Sequence, residues 1–146
     1  PGRREQVASA AGGFLVEMAA VLPAVMILMG IFAVWVPAET VSRYLGKQSG
    51  LKGALLSLLF GTLPTGPLYV AFPLAQGLLK KGAGTANVVI FLSAWACIKL
   101  PQELVELQFL GAGFMALRLG LTVTLVFLMG WIIEKTMERN RKEDNV

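Results

Sequence analysis

Histidine is absent from the chain, and cysteine occurs once, at Cys97. Without His the sequence lacks the commonest general base and the commonest metal ligand. A single thiol cannot form an internal disulfide or a zinc cluster. Charge is also scarce, at 15% of residues where soluble domains carry ~25%. Aspartate is missing until Asp144, and no Ser or Cys has a base to activate it, so catalysis, a metal and an organic cofactor are not expected. What fills the sequence instead is apolar: 55% of residues belong to the AVILMFWYC set, and the mean hydropathy is +0.67. So few charges cannot coat a 15.7 kDa globule in water without leaving large apolar patches. The composition excludes a small soluble enzyme and a disordered chain, and it points to the bilayer. The net charge of +4 does not argue for nucleic acid, because the basic residues form short clusters between apolar runs. That pattern suits anionic headgroups and membrane orientation.

Charges divide the sequence into four apolar runs, at 18–38, 53–79, 82–98 and 107–133, the last interrupted only by Arg118. A bilayer core of about 30 Å needs ~20 helical residues. The first, third and fourth runs therefore predict transmembrane helices near 14–36, 85–100 and 110–133. A cleaved signal peptide would account for the first run and leave three later ones unexplained. Residues 39–50 are amphipathic and suit the interface, and 134–146 form a charged tail. The three tryptophans, Trp35, Trp95 and Trp131, lie towards span ends and suit an aromatic belt.

The second run is broken at Gly61-Thr62-Leu63-Pro64-Thr65-Gly66-Pro67. Proline removes a backbone donor and clashes with the preceding turn, while glycine tolerates positive φ. The sequence predicts two half-length helices here. They form either a single crossing by a discontinuous helix or a re-entrant hairpin. The hairpin keeps Arg43, Lys47 and Lys52 on the cytoplasmic side with Lys80, Lys81 and the tail, which the positive-inside rule slightly favours. The glycine spacing resembles a phosphate loop, but Pro67 stands where the lysine must be.

Non-helical backbone at membrane depth persists only where protein or a water-filled cavity satisfies it. Transporters use such breaks to aim half-helix ends at a solute. Thr62, Pro64, Thr65, Gly66, Pro67, Tyr69, Pro73 and Gln76 are therefore candidate substrate-path residues, against the plainer alternative of a kinked helix packed on its neighbours. Ser93 and Asn87 either line the same path or bond between helices. Arg118 inside the last run is paired, hydrated or snorkelling. Lys99, with Glu103 and Glu106 nearby, suggests an ion pair at the outer surface.

The stretch Pro73-Leu74-Ala75-Gln76-Gly77-Leu78-Leu79-Lys80-Lys81-Gly82-Ala83, after a Pro/Gly break and before an apolar span, resembles the predicted permease family that includes the organoarsenical-efflux permeases. Leu22-Pro23, Trp35-Val36-Pro37 and Lys99-Leu100-Pro101 are similar too. Longer members carry two related halves, and this chain looks like a half-size unit. Efflux members carry cysteines before the matching proline, where this chain has Pro67 and Tyr69. Soft-metalloid coordination needs thiolate, so the resemblance implies a permease without naming its substrate. It also implies a further hydrophobic helix before Pro1, which reads as a fragment start.

Together these readings predict an all-α, polytopic protein with about four membrane segments, one of them a broken pair. Residues 1–13 are an interfacial segment, 14–133 the transmembrane permease domain and 134–146 a cytoplasmic tail. The expected function is a multi-pass permease subunit of a prokaryotic inner membrane, moving a small solute or ion. Four segments make a thin wall for a route, so a homodimer or another homo-oligomer is expected. The competing expectation is a membrane scaffold or assembly partner that transports nothing.

Overall fold

The computed structural model of the chain describes residues 2–64 and 66–143. Every regular element among them is helical. Seven α-helices follow in order: α1 (Arg3–Trp35), α2 (Ala38–Leu45), α3 (Gly50–Thr62), α4 (Leu68–Lys80), α5 (Thr85–Cys97), α6 (Leu100–Leu110) and α7 (Ala112–Glu143). A single 3-10 turn, Lys47–Ser49, joins α2 to α3. Two helices are long and apolar enough to cross a membrane, over Arg3–Phe32 and Ala112–Arg141. A third span follows if α5 and α6, bent by 48° where they meet, count as one.

The first unit, Pro1–Trp35, is α1 by itself. The helix begins at Arg3, well ahead of Phe14 where the apolar pattern predicts a span, and it accommodates Pro23 in its interior. Proline inside a water-exposed helix would forfeit a bond and strain the preceding turn; lipid-embedded helices tolerate it through local adjustment.

The second unit, Val36–Val146, is built around α5. This helix packs against α3, α4 and α7, and α7 also packs against α6. Its core is the buried cluster Ala54, Ile90 and Val126, with Leu58 and Phe127 against it. Large apolar side chains such as Leu59, Phe72, Phe109 and Leu117 remain exposed. Such a surface suits lipid, and in lipid helices associate through close packing of small residues more than through apolar burial. Gly61 illustrates this: a methyl group there would stand 2.4 Å from the Phe91 carbonyl oxygen and 2.7 Å from Ala94 Cβ. Only glycine lets α3 approach α5 so closely.

The two ends of the α3–α4 pair lie together. The Gly84 amide, just past α4, donates to the Leu45 carbonyl, just before α3, at 2.7 Å. Asn87 of α5 donates to Leu45 O at 2.9 Å and to Ser49 Oγ at 2.9 Å. Lys81 donates to the Val36 carbonyl. Lys47 in the 3-10 turn forms an ion pair with Glu138 near the end of α7, at 2.9 Å. α3 thus leaves this end of the unit and α4 returns to it.

Candidate functional site

The helix break predicted from the Gly/Pro cluster is present, with α3 ending at Thr62 and α4 beginning at Leu68. The last α3 bond runs from the Leu63 amide to Leu59 O, and the Thr62 hydroxyl donates back to Leu58 O at 2.8 Å. Pro67, extended at φ −65° and ψ 150°, then precedes α4, and no side chain caps that helix. The carbonyl of half-buried Gly66 is held from outside the break: Trp95 of α5 donates its indole N–H to it at 2.9 Å. The Trp95 ring is fixed in turn by an edge-on contact with Phe91, 5.7 Å between centroids. Trp95 is 3% exposed, whereas Trp35 and Trp131 are 81% and 57% exposed. The belt position expected for Trp95 is therefore corrected: its apolar ring fills the core and its N–H finds a backbone acceptor there.

A cleft of about 680 Å³ opens between α4, α5 and α7. Leu68 and Phe72 of α4, Ser93 and Cys97 of α5, and Arg118 and Thr122 of α7 border it. Most of the lining is apolar, with a few polar groups contributed by α5, α6 and α7. The Ser93 hydroxyl is engaged with Val89 O at 2.8 Å within its own helix.

At one end of the cleft, α5 gives way to α6. Ile98 and Lys99 are extended, and Pro101 falls in the first turn of α6, where its missing N–H leaves no bond unmade. α6 closes at Gly111, whose φ of +85° is one that L side chains rarely adopt, and the chain reverses into α7. The reversal brings Arg118 against two glutamates of α6. Its Nη2 pairs with Glu103 and its Nε with Glu106, both buried carboxylates. Gln102 donates to the other oxygen of Glu106 at 3.1 Å.

A family model described as a predicted permease matches residues 5–146. The chain belongs to this permease family. Neither curated proteins nor solved structures yield a match.

Within this permease the sequence-predicted residues do not gather in one place. Ser93 and Arg118 border the cleft. Gly66 carries the clamped carbonyl, and Thr62, Pro64, Tyr69 and Pro73 are half-buried around the break and along α4, while Pro67 and Gln76 are exposed. Thr65 lies outside the described residues. Asn87 belongs elsewhere: of the two roles open to it, it takes the helix-linking one, fastening the 3-10 turn to the start of α5. Lys99 is half-buried in the bend, and the expectation that it pairs with the glutamates is corrected, because Arg118 takes both carboxylates. Twelve to fifteen residues separate Arg118 from its partners. Only the tight turn at Gly111 reveals that pairing, although charges inside an apolar run were the available signal. Trp95 as a clamp and Thr122 as a cleft residue had no signal in the sequence. No group of three Cys, Asp or Glu side chains that could hold a metal gathers among the described residues.

Proposed function

We propose that this permease moves a small solute along the cleft between α4, α5 and α7, with the break at 62–73 forming its inner wall. One observation carries the proposal: the cleft lies where two helix interruptions adjoin. Leu68, the first residue of α4 after the break, and Cys97, the last of α5 before the bend, both line it. Interrupted helices at membrane depth belong beside protein or water-filled cavities. In secondary transporters they flank the solute site.

The hairpin layout is part of the proposal. The bonds joining Gly84 to Leu45 and Asn87 to Ser49 favour a re-entrant α3–α4 pair over a single crossing. The Lys47–Glu138 ion pair supports the same cytoplasmic side for Lys47 and the C-terminal tail. Trp95 stands about 15 Å along α5 from Thr85 at 1.5 Å per residue. That is half of a core about 30 Å thick, so the clamp would fall near the midplane. With α1, α5–α6 and α7 as crossings and the α3–α4 pair as the re-entrant segment, this layout counts four membrane segments. We further propose a homo-oligomer in a prokaryotic cytoplasmic membrane, since so few segments enclose a route poorly.

The test is a solute screen in a deletion strain, followed by flux in proteoliposomes. The proposal expects flux of at least one solute, lost in Gly66→Leu without loss of membrane insertion. A chain that inserts and binds a partner protein but moves no solute would be the scaffold instead. Full flux in Gly66→Leu would remove the break from the route.

A further inference from the structure

We propose that a second cavity, beside the charged end of α7, binds the phosphoethanolamine headgroup of a membrane phospholipid. The site is separate from the cleft, and it stands whether or not a solute moves there.

The cavity, of about 240 Å³, lies between the start of α3, the start of α5 and the second half of α7. None of its lining residues borders the cleft. Its depth follows from the sequence, since Glu134 on its wall is the first charged residue after the apolar run that ends at Ile133. Trp131, also on the wall, occupies the place of an interfacial aromatic. Lys135 lies over the Trp131 ring, 4.8 Å from its centroid. The cavity is therefore at headgroup level.

Two side chains of opposite charge share the wall, Glu134 and Lys47. Lys47 forms its ion pair with Glu138, one turn further along α7, and leaves Glu134 aside. Glu134 Oε1 is shielded and accepts no hydrogen bond among the described residues. Asn87, the other polar side chain of the wall, directs its amide to Leu45 O and Ser49 Oγ. A shielded carboxylate oxygen without a donor is unfavourable. The terminal torsion of a glutamate is soft, so the carboxylate can turn to a donor that enters the cavity. Lysine has three N–H donors, and Lys47 can serve a further anion while it holds Glu138.

This arrangement selects among ligands. An anion alone meets Glu134 and a cation alone meets Lys47, whereas a zwitterion satisfies both. A hard metal ion needs typically six or so oxygens, and the wall supplies one carboxylate. The volume is also many times that of a single water. A carboxylate only accepts hydrogen bonds, so a primary ammonium with N–H donors suits Glu134 better than the trimethylammonium of choline. A serine headgroup would add a carboxylate for Glu134 to repel. The ethanolamine headgroup fits: its ammonium donates to Glu134 and its phosphate accepts from Lys47. The acyl chains have a place as well. Leu51 lines the cavity, and Leu51, Leu55 and Leu59, spaced by four residues, form an exposed stripe along α3.

The experiment is native mass spectrometry of the full chain in mild detergent, offered phosphatidylethanolamine and phosphatidylcholine with matched acyl chains. The N-methyl and N,N-dimethyl intermediates complete the series. Wild type should retain phosphatidylethanolamine about tenfold over phosphatidylcholine, the worth of one charge-assisted hydrogen bond. Retention should fall stepwise as each N–H is replaced by methyl. Glu134→Gln should abolish the preference, and Lys47→Gln should weaken the whole series together, because every member carries the phosphate. If either variant fails to extract, the methylation series on wild type decides the ammonium contact by itself. Equal retention of the two parent lipids in wild type overturns the site, as does a preference that survives in Glu134→Gln. Stronger retention of phosphatidylserine or phosphatidylglycerol, or retention indifferent to Lys47→Gln, does the same. Soluble glycerophosphoethanolamine provides the last arm: if it binds and the lipid does not, the ligand is a free solute and the lipid assignment fails.

Discussion

The two interruptions around α5 are built from opposite materials. The first, between α3 and α4, is a Gly/Pro segment with no charged residue, fastened by a neutral hydrogen bond from Trp95 to Gly66 O. The second, between α5 and α6, has a single proline and is surrounded by charge, with Arg118 bridging Glu103 and Glu106. Proline and glycine break a helix by what they cannot do, and any neighbour with a donor can stabilise the result. An ion cluster instead requires several groups in register, and each depends on the others for its compensation. The first interruption should therefore tolerate change more readily than the second.

The strongest way to break that comparison is Arg118→Met. It leaves two buried carboxylates without a counter-charge, a loss of about 3 kcal/mol. Thermal melts followed by circular dichroism in mild detergent should show a large fall in midpoint, with Arg118→Lys in between. An unchanged midpoint would mean that the cluster is hydrated and not buried.

Next in size is Gly61→Leu, which forces α3 away from Phe91 and Ala94 and should destabilise by about 1–3 kcal/mol. Gly120, with no atom near enough to meet an added methyl, serves as the control. Equal melts for Gly61→Leu and Gly120→Ala would remove close α3–α5 packing from the account.

Trp95→Phe tests the clamp alone, because it keeps an aromatic ring against Phe91 and deletes the N–H to Gly66 O. The expected loss is about 1 kcal/mol, that of one hydrogen bond, with faster amide exchange confined to the break. Exchange that rises equally over α5 and α7 would argue for a general packing defect. The smallest effect belongs to Lys47→Ala. Its ion pair with Glu138 is half exposed on both sides and should contribute almost nothing to stability. A large loss there would make the pair a structural anchor.

The same contrast explains what was legible in the sequence. The helical class, the membrane setting, the permease family and the break at 63–67 all follow from local signals: apolar runs, Gly and Pro. Each acts on its own stretch of chain. The break's partner was hidden, because an indole at the end of an apolar run reads as an interfacial anchor until the fold brings it beside a free carbonyl. Arg118 was recognisable as anomalous, but its partners depended on the turn at Gly111 and lay twelve and fifteen residues away. Lys99 was nearer in sequence and misleading for that reason. Asn87 could equally line a path or link helices, and only its bonds to Leu45 O and Ser49 Oγ separate the two.

The central claim is a water-accessible solute route beside a re-entrant break, and side-selective thiol labelling tests it most directly. With Cys97 replaced by Ala, single cysteines are introduced at Lys52, Ser93, Thr122 and, in the C-terminal tail, Glu143 and labelled in right-side-out and inverted vesicles. The account predicts that Lys52→Cys labels from the same side as a cysteine in the C-terminal tail, and that Ser93→Cys and Thr122→Cys react with a water-soluble reagent despite their depth. Labelling of Lys52→Cys from the opposite side, together with complete protection at Ser93 and Thr122, would contradict both the hairpin and the route.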